Sequence, residues 1–201
     1  MPTTLRSRQK QVAREMILQA AADEIVERGL EDLSLQAVAD RAGVSKRTLY
    51  NYFDDRETLL AAIGTWSAEL TAELGGSNVP GSLDALPETM RSTWRAWHEQ
   101  GTVFEAVLRI DAAATVSEGR RVRRVALAAA VAQVRPDLTE EQSASLALIL
   151  HVLPSSPTYK RLTVEDGLDL ERATVLVTWA LRTLTEAITQ GKDPFSGEET
   201  E

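Results

Sequence analysis

The stretch from Leu33 to Leu60 leaves this chain few ways to fold, because it sets two helix starts and a glycine stop within one short run. Ser34 and Ser45 each precede residues able to form a helix, and a hydroxyl in that place accepts a bond from a backbone N–H that the helix leaves orphaned. Between the two runs stands Gly43. A glycine just past a helix end takes the left-handed conformation that side chains resist, so the chain reverses before Val44. The first helix carries Leu35, Val38 and Ala39 on its inner side. So short a turn brings the helices close, which suits a small residue, Ala39, opposite an apolar plug, Leu49. Lys46, Arg47, Thr48, Asn51 and Tyr52 then face outward. Asp54 with Glu57 three places on has the spacing of a capping box, so a further helix begins there and the middle one spans only about two turns. Such brevity suits insertion into a groove, and the pair has the layout of a helix-turn-helix that reads DNA. An ordinary turn between two core helices has no need of the outward basic and polar set.

A net charge of −8 argues against a nucleic-acid binder until its distribution is considered. The first 56 residues balance nine Lys/Arg against nine Asp/Glu, so the whole excess lies beyond them. Within the first sixteen, Arg6, Arg8, Lys10 and Arg14 face only Glu15. An acidic body with a locally basic reading head fits site-selective binding and discourages indiscriminate adhesion.

The segment Ala42-Gly43-Val44-Ser45-Lys46-Arg47-Thr48-Leu49-Tyr50-Asn51-Tyr52-Phe53, with an upstream helix from about Gln11 to Arg28 and Arg56-Glu57-x-Leu59-Leu60 after it, resembles the DNA-binding domain of the TetR family of transcriptional regulators. The motif spans about a quarter of the chain. Arg56 stands where a lysine is frequent, which keeps the charge. The resemblance implies that Gln36, Lys46 and Arg47 face bases, and that Ser45, Thr48, Tyr50, Tyr52 and Arg56 hold the DNA backbone; the cap residue Ser34 and the outward Asn51 are added to the candidate contacts from the reading of the residues themselves. Tyr50 suits an inward place equally well.

Helical periodicity runs through the chain and strand signals are almost missing, so an all-α protein is expected: a helix-turn-helix domain over 1–60, a helical effector-binding and dimerisation domain over 61–190, and a flexible tail over 191–201. The first helix has Ala13, Ile17, Ala21 and Ile25 at fourfold spacing, broadened by Met16, Ala20 and Val26, and Gly29 closes it. A fourth helix runs from about Asp55 to Leu74, before the loop Gly75 to Gly81. Further helices are predicted near 83–100, 103–115, 117–134, 139–154 and 168–190, with Ser82, Thr102, Ser117, Thr139 and Asp169 as caps.

The last two helices are apolar on nearly every side, so something must cover a second face. A second copy of the chain is the expected cover, with Leu146, Ile149, Leu150, Leu153, Val177, Leu181, Leu184 and Ile188 at the interface. In TetR-like proteins the last two long helices form a four-helix dimer interface, and the resemblance implies the same here. Trp66, Thr93, Trp94, Trp97, His98, Phe104 and Leu108 serve either as core or as walls of a pocket for an apolar or aromatic small molecule.

Enzyme chemistry finds no footing. GxGxxG, a Walker loop, GxSxG and HExxH are all missing, no catalytic residue is assigned, and no cofactor is implied. Cysteine is absent and the two histidines, His98 and His151, lie far apart, which leaves no metal site of Cys or His within one chain. Arg120, Arg121, Arg123 and Arg124 read as a solvated helix face pairing with carboxylates. Without a signal peptide or a long apolar run, a soluble cytoplasmic protein without membrane contact is expected. The sum is a homodimeric, ligand-responsive repressor on a pseudo-palindromic double-stranded operator; the alternative is a helical interaction or scaffold module without DNA activity.

Overall fold

The computed structural model describes residues 5–77, 79–110 and 113–195. In chain order these form α1 (Leu5–Arg28), α2 (Leu35–Arg41), α3 (Lys46–Tyr50), α4 (Arg56–Glu73), α5 (Leu86–Glu99), α6 (Thr102–Arg109), α7 (Ala113–Val134), α8 (Glu140–Val152), α9 (Ser156–Lys160) and α10 (Leu170–Thr189). No strand occurs among the described residues. The chain divides into two compact units.

The fourfold apolar spacing seeds α1, which begins at Leu5, earlier than the apolar pattern reaches. Ile17, Ala21 and Ile25 are fully buried, while Met16, expected on the inner face, is 51% exposed. Gly29 stops the helix at φ +96° with its N–H on the Ile25 carbonyl. Val38 and Ala39 of α2, Leu49 of α3, Phe53, and Leu59 and Ile63 of α4 share one core with α1. Val103, Ala106 and Ile110 join that core, so the first unit comprises Met1–Leu70 and Gln100–Thr115 and is not confined to residues 1–60. A polar triad fastens α6 to α1. The Thr102 hydroxyl donates to Asp23 Oδ1 at 2.7 Å, and Gln19 Nε2 donates to both Thr102 Oγ1 and Asp23 Oδ1 at 2.9 Å. Thr102 therefore does not cap its helix. That place falls to Gly101, at φ +57°.

The second unit holds Thr71–Glu99 and Val116–Glu201, with α10 packed on α5. Thr139 and Asp169 cap as predicted, Thr139 in a full capping box with Gln142, whereas α5 starts at Leu86 and not at 83, and Ser82 Oγ accepts the Ala85 N–H at 3.3 Å in the turn before it. Ser117 lies inside α7 instead of starting it, and its side chain is outside the described residues. Of the predicted helices 103–115 and 117–134, the first thus ends at Arg109 and the second begins at Ala113. Between α8 and α10 the short α9, capped by Ser155, runs into a π-helical turn over Arg161–Glu165, in which the Asp166 N–H reaches back five residues to the Arg161 carbonyl. Apolar periodicity announced neither. Tyr159 anchors this region by packing edge-on to Trp94 and Trp97, with centroids at 5.4 and 5.8 Å.

Two expectations are corrected here. Residues 191–195, assigned to a flexible tail, are tied down: the Lys192 N–H bonds the Ala187 carbonyl and the buried Asp193 carboxylate pairs with Arg135. Residues 196–201 lie outside the described residues. The apolar stripe chosen for the dimer interface mostly faces inward. Leu146, Leu150, Val177, Leu181 and Ile188 are between 0% and 6% exposed within this chain's own unit, and Leu153 and Leu184 are half-buried, leaving Ile149 outward.

Candidate nucleic-acid interface and effector cavity

The turn that presents α3 is built as its residues demand. Ser34 Oγ accepts the Ala37 N–H at 3.1 Å and starts α2. At the other end Gly43, at φ +66°, donates to Asp40 O while Val44 N–H reaches Ala39 O at 3.0 Å, the paired bonds of a glycine-closed helix end. Ser45 Oγ then accepts the Thr48 N–H at 3.0 Å and lies 2.8 Å from the Thr48 hydroxyl. The cap before α4 is Asp55, not Asp54: Asp55 Oδ1 accepts the Thr58 N–H at 2.7 Å, and this bond holds its carboxyl below the usual range.

Arg41 fixes α2 against α1. Its Nε donates to Glu24 Oε1 at 2.7 Å and its Nη1 to Glu27 Oε1 at 2.8 Å, with a second contact from Nη2 to Glu27 Oε2. Arg28 adds a contact of 3.4 Å to Glu24 Oε2. These bonds lower the Glu27 carboxyl and raise the Arg41 guanidinium. Two acids of the reading head are thereby occupied by arginines away from α3.

Of the predicted contacts, Ser34, Gln36, Ser45, Lys46, Arg47 and Asn51 are exposed, Thr48 is half-buried, and Leu49 beneath them is fully buried. Gln36 Nε2 bonds Asp40 at 2.8 Å. Tyr50 is outward at 43% exposure, with the Lys46 ammonium 6.0 Å from its ring centroid. Tyr52 is half-buried beside Phe53. Arg56 is half-buried, and its Nη2 donates to the Leu30 carbonyl at 2.5 Å, so part of its fork serves the fold. Two neighbours were not assigned from the sequence. Lys10 stands 5.9 Å from the Tyr52 ring and Arg14 5.9 Å from the Phe53 ring. Their spacing of four, one face of a helix, was the available signal.

The residues proposed for an effector pocket fall in both units. Trp66 and Phe104 are buried and Leu108 half-buried in the first; Thr93, Trp94 and Trp97 are buried in the second, where His98 is exposed. Trp94 Nε1 donates to the Pro154 carbonyl at 3.1 Å. Beside it lies a cavity of about 10 Å³, room for about one water, lined by Ser77, Pro80, Leu86, Thr89, Met90, Thr93, Arg123 and Pro154. The Thr93 hydroxyl donates to the carbonyls of Ser77 and Thr89, both at 2.7 Å, and accepts the Ser77 N–H at 3.1 Å. Arg123, expected on a solvated face, is 9% exposed, and burial brings its guanidinium down to about 10. His151 is lowered by burial and by the charges of Arg123, Arg124 and Arg120. Among the described residues no helix is long and apolar enough to cross a membrane.

Comparison with known proteins agrees with this geometry. Residues 17–63 match the family model described as bacterial regulatory proteins, tetR family. No curated protein is similar enough in sequence to be matched. Among solved structures, a TetR-like transcriptional regulator from Rhodococcus sp. RHA1 shares 21% identity over 90% of this chain and 97% of its own, with a TM-score of 0.61. A TetR family transcriptional regulator from Pseudomonas syringae pv. tomato shares 24% identity over 86% and 94%, at 0.59. NalD, the secondary repressor of the MexAB-OprM multidrug efflux pump in Pseudomonas aeruginosa, shares 17% over 88% and 96%, at 0.61. At such identities the likeness is one of fold. Together with the match of the helix-turn-helix segment, it supports DNA-binding transcriptional regulation.

Proposed function

We propose that this chain, whose helix-turn-helix segment is that of the tetR family of bacterial regulatory proteins, is a ligand-responsive repressor that binds a pseudo-palindromic operator as a homodimer. The carrying observation is α3: Lys46 and Arg47 stand exposed on a short helix that Leu49 anchors and Ser45 caps. In this reading Gln36, Lys46 and Arg47 reach base edges in the major groove. Ser45, Thr48, Tyr50, Tyr52 and Arg56 hold phosphates, joined by Lys10.

The homodimer reading draws on outward apolar side chains in the second unit. Leu148, Ile149 and Val152 of α8 and Val175, Leu176 and Trp179 of α10 are 44–67% exposed. A two-fold axis through these helices would bury both stripes against their twins, and the operator reading requires two copies of α3 roughly 34 Å apart, one turn of B-DNA. An effector held in the second unit then favours one of two conformations, and its differential affinity for them supplies the switching energy.

The test is selection of bound duplexes from a random library by the purified protein. Fluorescence anisotropy on selected and scrambled duplexes at two salt concentrations follows, with sedimentation of the free protein. A palindromic consensus, salt-dependent binding and a dimer are expected. Equal affinity for selected and scrambled duplexes removes the operator reading, and a monomer at micromolar concentration removes the dimer.

A further inference from the structure

Asp40 is an acid that the stability of its helix does not call for. It lies exposed in the last turn of α2, at the negative end of the helix dipole, on the element that packs against the basic α3. A carboxylate beside a reading helix also weakens the attraction to a polyanion. The cation next to it in sequence, Arg41, is taken by Glu24 and Glu27. Asp40 holds an amide instead: Gln36 Nε2, one helical turn away on the same exposed face, donates to Asp40 Oδ1 at 2.8 Å. A carboxylate offers only acceptors, so the amide nitrogen of Gln36 has to turn toward it and Oε1 is left on the other side. A glutamine without such a neighbour flips freely and meets a base as donor or acceptor. Here the oxygen is set outward, and the remaining amide N–H stays beside a negative charge that disfavours a keto oxygen.

We propose that Asp40 is a positioning residue for base recognition: by holding the Gln36 amide nitrogen it presents Gln36 Oε1 to an exocyclic amino group, so each half-site carries adenine or cytosine at the position that Gln36 reads. This rests on the operator reading above and adds to it a residue that acts through Gln36 and the chemistry of one base. Major-groove edges divide on this point, since adenine N6 and cytosine N4 donate whereas guanine O6 and thymine O4 accept. Lys46 and Arg47 carry donors only and suit guanine O6 and N7 at other positions. The outward oxygen of Gln36 supplies the acceptor that these two cations lack.

The experiment compares duplexes selected from a random library by the full-length wild type, Gln36→Ala, Asp40→Ala and Asp40→Glu, followed by fluorescence anisotropy on duplexes changed at one base pair. The position whose preference Gln36→Ala erases is the one that Gln36 reads. There the wild type should favour adenine or cytosine over guanine and thymine by about tenfold, and the selection tells the two apart. Asp40→Ala should lower that ratio to about twofold while the preferences at the other positions persist, and Asp40→Glu should restore it, because a glutamate still reaches one turn back. On the wild type, putting hydrogen in place of the amino group of the preferred base should weaken binding about tenfold. Guanine or thymine at that position, indifference to the missing amino group, or a ratio that Asp40→Ala leaves as it was overturns the proposal. So does a loss of preference at every position together in Asp40→Ala, which marks a structural role. If Asp40→Ala does not fold, Asp40→Asn takes its place, since an amide meets Gln36 as donor or acceptor and sets no orientation. A wild-type selection without any consensus sinks the operator reading and this assignment with it, whereas a consensus that Gln36→Ala leaves intact sinks the assignment alone.

Discussion

The first unit buries Glu24 and Ser67 among its described polar side chains: Ser67 Oγ donates to Gln100 Oε1 at 2.6 Å, and Glu24 is ion-paired, its Oε1 taking Arg41 Nε at 2.7 Å while its Oε2, 3.4 Å from Arg28 Nε, makes no hydrogen bond. The second unit buries Thr71, Thr93, Arg123, Arg135, Ser143, Thr174, Thr178 and Thr185, and leaves Ser143 Oγ, Thr178 Oγ1 and the Nδ1 of His151 without a hydrogen-bond partner. Its α10 is amphipathic in an unusual sense, with Thr174, Thr178 and Thr185 inside and Val175, Leu176 and Trp179 outside. A reader of DNA has to hold one geometry, and satisfied polar bolts between α1 and α6 do that. The second unit exposes apolar side chains on α8 and α10 and buries hydroxyls without partners, each unsatisfied group costing about 1–3 kcal/mol.

The contrast is broken most forcefully by a charge on either face of α10. Leu181→Asp buries an unpartnered carboxylate and should cost about 4 kcal/mol or more, seen as loss of the second unit's transition in urea. Trp179→Asp, at a position 67% exposed, should leave helicity by circular dichroism intact and shift sedimentation toward monomer. If both variants simply unfold, the outward stripe has no assembly role. In the reading head, Arg47→Ala should weaken binding to a selected operator by about 1–3 kcal/mol while sparing the melting temperature, read by anisotropy and calorimetry.

The same replacement made in both units should change sign. Thr102→Val strips a donor from Asp23 and should destabilise by about 1–2 kcal/mol, whereas Thr178→Val removes an unsatisfied hydroxyl and should be neutral or stabilising by up to about 1 kcal/mol. Equal losses would erase the distinction drawn between the units. The smallest expected effect is a pH dependence. Burial lowers His151 in the folded state, so below about pH 6.5 the unfolded chain binds the proton first and stability falls as the pH drops. The melting temperature should therefore decline from pH 6.5 to 5 in the wild type, and less steeply in His151→Gln.

What the sequence by itself determined is local. Gly43 needs a left-handed turn, Ser34, Ser45, Thr139 and Asp169 need orphan N–H groups within three residues, and the fourfold spacing of Ile17, Ala21 and Ile25 needs a helix; these are short-range demands met wherever the helix ends up. Tertiary structure decided which side of a helix faces in when both sides are apolar. On α10 the stripe of Val177, Leu181 and Ile188 and the stripe of Val175, Leu176 and Trp179 look alike as letters, and packing on α5 chose the first for the core. The same applies to Arg123, indistinguishable in sequence from Arg120 and Arg124 until α7 is rotated into place, and to Thr102, whose partners lie 79 and 83 residues away. Burial depends on contacts between distant segments, and no periodicity within a single helix encodes which of two apolar faces those segments will meet.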